Sequence, residues 1–187
     1  MKRLLILLGI LISGCSNAGP QQQSQQTEQP AVQTPVQHVD KKKYLASIQQ
    51  IPPYRILTTD SVFVTPASLQ KNKAVMIIYF SPDCSHCQRM MYELKPKMKE
   101  FKNIQVIMVT FSKDYDIRGI REFRRDYELN KYPNFVLGTE GYTMLVQHYY
   151  DVKTTPFIAI YNKNHKLSTY FDKVTSPDKI IAAVKKV

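Results

Sequence analysis

The sequence has no tryptophan, only three cysteines, and 15 acidic residues against 26 lysines and arginines. Its opening apolar run, residues 4–12, falls short of the roughly 20 residues that a membrane-spanning helix needs. It has no second CxxC pair, and its four histidines show no metal-ligand spacing, which argues against a four-ligand zinc site. It also has no internal repeat, so a solenoid is not expected. These absences leave a basic chain with one unexplained pair of cysteines.

The first 14 residues have the composition of a secretory signal peptide. Lys2 and Arg3 precede the apolar run, and small residues follow it. The next residues, Ile12-Ser13-Gly14-Cys15, resemble the lipobox of bacterial lipoproteins. That resemblance implies that Cys15 is acylated, becomes the mature N-terminus and anchors the chain to a bacterial membrane, facing the periplasm or the exterior. Acyl chains contribute about 0.8 kcal/mol per buried methylene. The alternative is a soluble secreted protein that is cleaved nearby.

Residues 15–40 form the second predicted region, which joins the lipidated cysteine to the rest of the chain. From Ser16 it is rich in Gln and Pro, nearly uncharged and without aromatics, as in a disordered linker. The composition changes at about Lys41, where aromatic and β-branched residues begin. Residues 41–187 have the length of one domain with one core.

Hydrophobic periodicity predicts an α/β domain from residue 41 onward. Residues 74–80 (AVMIIYF) and 104–111 are continuous apolar runs, as in buried strands. In chain order we expect a hairpin or edge region at 54–69, a strand at 74–80, a helix at 85–101 that Pro96 interrupts, a strand at 104–111, a basic helix at 117–129, a helix at 142–150, strands at 156–161 and 166–171, and a last helix that starts at 176–178. This order indicates a three-layer α/β/α domain with a central mixed β-sheet.

The stretch SPDCSHCQ, residues 81–88, puts the two remaining cysteines at the start of a helix that follows a buried strand. Unpaired N–H groups and the positive end of the helix dipole favour a thiolate at Cys84. Cys87, one turn later, could then resolve a mixed disulfide. His86 favours the thiolate and Asp83 favours the thiol. Asp83 could instead be the N-cap.

Other uses of the two cysteines are a structural disulfide and a Cu(I)-binding or metallochaperone module. The disulfide would close a very short loop and contribute little entropy. Soft thiolates select Cu(I), with His86 or His148 as a further ligand.

The combination resembles the thioredoxin superfamily, and more closely its membrane-tethered TlpA/ResA-like branch of thiol–disulfide oxidoreductases. Besides the CxxC, the match rests on Thr155-Pro156 at the opening of a later strand. The resemblance implies a thioredoxin-like domain in which Pro156 is cis, lies opposite the CxxC, and leaves the Thr155 backbone to pair with substrate. It further implies that Cys84 attacks, Cys87 resolves, and no cofactor or metal is needed.

Three positions depart from the pattern of the superfamily. The usual tryptophan before the first cysteine is Asp83, and the positions where relatives carry a buried carboxylate hold Ile78 and Met90. Such a carboxylate helps to move the proton of the resolving cysteine, and no substitute is apparent in the sequence. Peroxiredoxins carry a P-x-x-x-T-x-x-C pattern around their nucleophile. The equivalent residues of this sequence, 79–84, lack that pattern.

The formal net charge is +11, and several basic residues cluster on one segment. Its basic residues are Arg118, Arg121, Arg124, Arg125 and Lys131. They form either a solvated helix face or a contact surface for anionic lipid, acidic polymer or an acidic partner. Because the chain is expected to be exported, its predicted partners are exported proteins with thiols or disulfides and a redox partner of the envelope, with no nucleic acid.

Overall fold

A computed structural model describes residues 40–187 of the chain. The expectations for the signal peptide, for Cys15 and for most of the linker lie outside these residues. None of the helices in the described part combines the length and apolarity needed to cross a membrane.

A seven-stranded mixed sheet, in the order β2-β1-β5-β4-β3-β6-β7, forms the centre of the domain. Its strands are β1 (Ile56–Thr58), β2 (Phe63–Val64), β3 (Val75–Tyr79), β4 (Gln105–Thr110), β5 (Phe135–Thr139), β6 (Phe157–Tyr161) and β7 (Leu167–Phe171). The three inner strands β3, β4 and β5 are parallel, and the outer pairings are antiparallel. All residues of β3 and β4 are buried, as their continuous apolar runs predict.

Five helices cover the two faces of the sheet: α1 (Lys41–Ser47), α2 (Ser85–Leu94), α3 (Arg118–Asp126), α4 (Leu145–Tyr150) and α5 (Pro177–Val184). Side chains of α2, α3 and α5 pack in one core cluster with Met76, Ile78 and Phe80. Side chains of α4 pack in a second cluster with Ile77 and Tyr79. Because neighbouring residues of a strand face opposite sides, β3 contributes to both clusters. The predicted three-layer α/β/α architecture with a mixed sheet is confirmed.

The predicted break in the first long helix occurs at Pro96. The α-helix ends at Leu94, and Lys95–Phe101 continue as a 3₁₀ helix, because proline removes a backbone donor and clashes with the preceding turn. The predicted helices at 117–129 and 142–150 are likewise split into shorter α-helical and 3₁₀ pieces.

Two elements were not expected from the sequence. The first is β5, which lies between β1 and β4 and completes the parallel core of the sheet. The second is α1, which has no buried residue of its own. The fourth residue of β5 (FVLGT) is Gly138. A β-carbon there would lie 2.7 Å from the Leu57 carbonyl oxygen, so the close pairing of β1 with β5 requires glycine at this position.

Candidate active site

The two cysteines follow the end of the central strand β3. Phe80 still pairs with β4 by donating its N–H to the Val109 carbonyl at 2.9 Å, and a turn then brings the Cys84 N–H to the Ser81 carbonyl at 3.2 Å. Gln88 closes the turn through a hydrogen bond from Nε2 to the Pro82 carbonyl, 2.8 Å long. Helix α2 begins at Ser85, with Cys84 as its N-cap residue.

Cys84 is partly exposed and its environment favours ionisation. Burial opposes the charge, but the Thr155 side chain and the backbone N–H groups of Cys87 and His86 outweigh it, so the pKa of the Cys84 thiol lies below its ordinary value. The thiol itself makes no capping hydrogen bond. Its Sγ donates to the Thr155 carbonyl at 3.4 Å, a bond that only the protonated form can make. The free N–H groups at the start of α2 therefore stabilise mainly the thiolate form of Cys84.

Cys87 differs from Cys84 in its burial and in the direction of its pKa shift. Its side chain is 0% exposed and packs in the core cluster with Met90 and Met91. Burial raises the pKa of its thiol to about 12. Both cysteines are free thiols in this structure, so the site pairs an accessible, acidified thiol with a buried thiol that resists ionisation.

Thr155 and Pro156 meet the cysteine pair from a distant part of the chain. The Thr155–Pro156 peptide bond is cis, which confirms the expectation for this bond. Pro156 is buried at the start of β6, and Thr155 is partly exposed beside Cys84. The fold thus brings together four of the predicted site residues: Cys84, Cys87, Thr155 and Pro156.

Asp83 and His86 are both exposed beside the cysteines. The idea that Asp83 caps the helix is wrong, because Cys84 occupies the N-cap position. His86 acts on Cys84 through its backbone N–H.

One buried carboxylate close to the site was missed by sequence reasoning. Glu140, just after β5, is 0% exposed. Its carboxylate accepts hydrogen bonds from the N–H groups of Val146 (2.7 Å) and Gln147 (3.4 Å) in α4. Burial raises the pKa of Glu140, against the effect of those N–H groups and of Tyr79. Because Tyr79 and α4 lie on the face of the sheet opposite Cys87, Glu140 does not replace the carboxylate that is missing at Ile78 and Met90.

A phenol also packs on the side of the sheet that holds the buried cysteine. The Tyr127 ring packs against the cluster that holds Cys87. Its pKa is raised by burial, by Asp126 and by the charge of Cys87.

Metal binding finds little support among residues 40–187. No group of three or more His, Cys, Asp or Glu side chains in this part of the chain is arranged to hold a metal ion. Neither His86 nor His148 forms such a group with the cysteines, and the Cu(I) alternative is not favoured.

The basic segment is largely paired within the domain. Four of its five members have acidic partners: Arg118 with Asp116, Arg124 with Asp60, Arg125 with Asp126, and Lys131 with Glu128. The fifth, Arg121, donates from Nε to the Thr59 carbonyl at 2.8 Å. Arg121 and Arg124 thereby tie α3 to the turn between β1 and β2. Contact with an anionic surface remains a prediction.

Comparison with known protein families gives one match. The family model described as Thioredoxin matches residues 56–149, which include β3, the CxxC segment and most of α4. Among curated proteins, the sequence matches none.

Several solved structures share the fold. A secreted disulfide oxidoreductase of Mycobacterium tuberculosis has a TM-score of 0.61 at 16% identity and covers 76% of this chain and 98% of its own. The thioredoxin domain of a thiol-disulfide oxidoreductase from Bacteroides vulgatus has a TM-score of 0.61 at 15% identity, covering 74% and 95%. The pneumococcal exposed lipoprotein thioredoxin from Streptococcus pneumoniae has a TM-score of 0.54 at 18% identity, covering 72% and 99%.

Proposed function

Because this chain belongs to the thioredoxin family, we propose that it is a thiol–disulfide oxidoreductase that reduces or exchanges disulfides in exported proteins. The observation that carries the proposal is the contrast between its two thiols. Cys84 is accessible, with a lowered pKa, whereas Cys87 is buried with a pKa of about 12. A nucleophile must ionise and meet its substrate, and a resolving thiol need only reach its neighbour.

In the proposed reaction, the Cys84 thiolate attacks one sulfur of a substrate disulfide. A Cys84–substrate disulfide forms, and the other substrate sulfur leaves as a thiolate. Cys87 then loses its proton and attacks Cys84, which forms the Cys84–Cys87 disulfide and releases the second substrate sulfur as a thiol. Two electrons pass from the protein to the substrate, and a dithiol partner of the envelope would restore the starting state. No cofactor is required.

Thr155 and Pro156 are the proposed substrate-binding residues. The Thr155 carbonyl lies 3.4 Å from Cys84 Sγ, so a substrate strand that pairs with this backbone would bring its sulfur to the nucleophile. We assign supporting roles to His86 and Asp83, whose exposed side chains lie on either side of Cys84 in sequence.

We further propose that the protein is anchored in the cell envelope through lipidated Cys15, after removal of residues 1–14. The residues Ile12-Ser13-Gly14-Cys15 support this location. Residues 16–40 would then separate the domain from the bilayer. A Cys15→Ser variant should appear in the soluble fraction, whereas the wild-type protein should sediment with membranes and release a lipid-modified N-terminal peptide on digestion. Membrane retention of Cys15→Ser would contradict the anchor and leave the redox proposal unchanged.

The redox proposal is tested by trapping reaction intermediates in the native cell. A Cys87→Ser variant cannot resolve the mixed disulfide, so it should accumulate covalent complexes that a reductant separates. Cys84→Ser and the double variant are the matched controls and should accumulate none. Equal trapping by Cys84→Ser, or no complex with any variant, would contradict the assigned chemistry.

A further inference from the structure

A cleft of about 350 Å³ lies directly beside the proposed substrate-binding backbone. Thr155 forms one side of it, together with Ser81 from the loop that leads to Cys84. Phe111 and Met144 contribute apolar surface, while Tyr79 and Gln147 contribute polar groups. A polypeptide paired with Thr155 would project a side chain into this space. The cleft is thus a candidate for the part of the site that distinguishes one substrate segment from another.

The polar side of the cleft lies next to the buried carboxyl group of Glu140, which does not itself line the cleft. The Tyr79 hydroxyl donates to Gln147 Oε1 at 3.2 Å. Both residues also interact with the Glu140 carboxylate, Tyr79 through its hydroxyl and Gln147 through its backbone N–H. Glu140 is 0% exposed and belongs to none of the ion pairs found in residues 40–187. Among the charged side chains, that of His148 lowers the pKa of Glu140. A further positive charge in the adjoining cleft would also favour the ionised form of this carboxyl group, so the cleft favours a positively charged occupant.

The apolar side of the cleft suits the same occupant. Phe111, which lines the cleft, is 43% exposed. Its ring centre lies 6.1 Å from that of Tyr142, which is 55% exposed and lies just outside the lining. The Tyr142 hydroxyl donates to Asp114 Oδ1 at 3.0 Å, so a second carboxyl group lies at the Tyr142 end of this aromatic pair. Aromatic faces attract a cation and also pack against the methylene stem of lysine or arginine.

Three of the eight non-glycine residues with positive φ among residues 40–187 lie in the cleft or in the segment that follows Phe111. Asp114, Tyr115 and Met144 all have left-handed φ values, of 53°, 55° and 47°. Gly141 also has a positive φ, of 56°, and a β-carbon there would lie 2.5 Å from the Tyr115 ring. Strained non-glycine residues persist only where the surrounding structure holds them, and they cluster at binding and active sites.

We propose that this cleft binds a lysine or arginine side chain of the substrate polypeptide next to the reacting cysteine. The Glu140 carboxylate, acting through Tyr79 and Gln147, and Asp114, acting through Tyr142, select the positive charge. Glu140 and Asp114 are thus residues that determine specificity, and the inference rests on the proposed function. The whole chain carries a net charge of +11, so a basic substrate is attracted by this local site and not by the overall field.

The test uses single-cysteine peptides activated as mixed disulfides with 5-thio-2-nitrobenzoate, reacted with the Cys87→Ser form of the protein. Attack by Cys84 joins the peptide sulfur to Cys84 and releases the coloured aromatic thiolate, so the absorbance gives a rate constant. The residue next to the peptide cysteine is Lys, norleucine or Glu, placed before or after it in two series. A further peptide carries its Lys six positions away.

The adjacent Lys peptide should react about tenfold faster than the norleucine peptide, as expected for a favourable charge contact in a partly shielded site. The Glu peptide should be slowest, and the distant Lys should give no advantage. In Glu140→Gln the advantage of Lys should fall below about twofold. Glu93→Gln is the matched control, because Glu93 is an exposed residue of α2 in no ion pair among residues 40–187. It should keep the full advantage.

Two further measurements keep the proposal testable if Glu140→Gln fails to fold. Asp114→Asn removes a charge outside the core and should reduce the Lys advantage, and raising the salt concentration to about 1 M should do the same. Equal rates for Lys and norleucine, or an equal loss in Glu93→Gln, would overturn the inference while peptide exchange continued. If no peptide reacted, the proposed function itself would fail, and the inference with it.

Discussion

Selective alkylation of the reduced protein would test the assigned roles of the two cysteines. The thiolate is the reactive form, so labelling rates follow ionisation. Burial raises the pKa of Cys87 to about 12, whereas the pKa of Cys84 lies below the ordinary 9.0. At pH 7 these values correspond to thiolate fractions of about 10⁻⁵ for Cys87 and more than about 10⁻² for Cys84. Ionisation alone therefore favours Cys84 by at least about a thousandfold.

The assay is brief treatment with iodoacetamide between pH 5 and 9, followed by peptide mapping with mass spectrometry. Cys84→Ser and Cys87→Ser each isolate one thiol, and wild-type protein unfolded in urea provides the reference in which both should label alike. The folded protein should carry its first label on Cys84, with a titration midpoint below 9. Labelling of Cys87 within tenfold of Cys84, or a Cys84 midpoint above 9, would refute the reasoning.

Three further predictions concern stability. Because the folded state holds the Cys87 thiol protonated up to a pKa of about 12, its stabilising contribution is complete below pH 9 and declines as pH rises toward 12. The difference in unfolding free energy between wild type and Cys87→Ala in urea should therefore shrink by about 1 kcal/mol from pH 9 to 10, and a constant difference would contradict the burial of this thiol. Gly138→Ala should cost about 1–3 kcal/mol, because the new β-carbon would lie 2.7 Å from the Leu57 carbonyl oxygen. Gly119→Ala is the control for Gly138→Ala, since the atom nearest to its new β-carbon is 3.9 Å away and alanine favours the helix by up to about 1 kcal/mol. Equal melting temperatures for the two variants would count against the close approach of Gly138 to the Leu57 carbonyl. Phe101→Ala removes a ring that is 0% exposed and should cost about 3–5 kcal/mol in urea unfolding, and a cost below about 1 kcal/mol would be inconsistent with that burial.

Local sequence patterns predicted the parts of the site that depend on neighbouring residues. A buried strand followed directly by the start of a helix determines where Cys84 and Cys87 lie, independently of the rest of the chain. The continuous apolar runs identified β3 and β4 for the same reason. The partner segment at Thr155 required a family resemblance, because no local rule brings together residues 71 positions apart.

Sequence patterns did not predict the features that depend on packing between distant parts of the chain. Strand β5 has a short apolar stretch, and its position between β1 and β4 comes from pairing with both neighbours. Helix α1 lacks the buried face that periodicity detects. Glu140 reads as a solvated loop residue, yet contacts from α4 and from β3 bury it completely. Within the basic segment, the partners of Arg121 and Arg124 at residues 59 and 60 lie far away in the sequence.

The position of Cys84 at the N-cap of α2 links helix stability to reduction potential. As a thiolate, Cys84 supplies a negative charge to the free N–H groups of the first turn, and as half of a disulfide it supplies none. Oxidation and unfolding form a closed thermodynamic cycle, so any free energy with which that charge stabilises the reduced fold makes the reduction potential more positive. Each 1.4 kcal/mol of such stabilisation raises the reduction potential by about 30 mV. Substitutions in the first turn of α2 that leave both sulfurs in place should therefore shift the potential and the unfolding free energy of the reduced protein together.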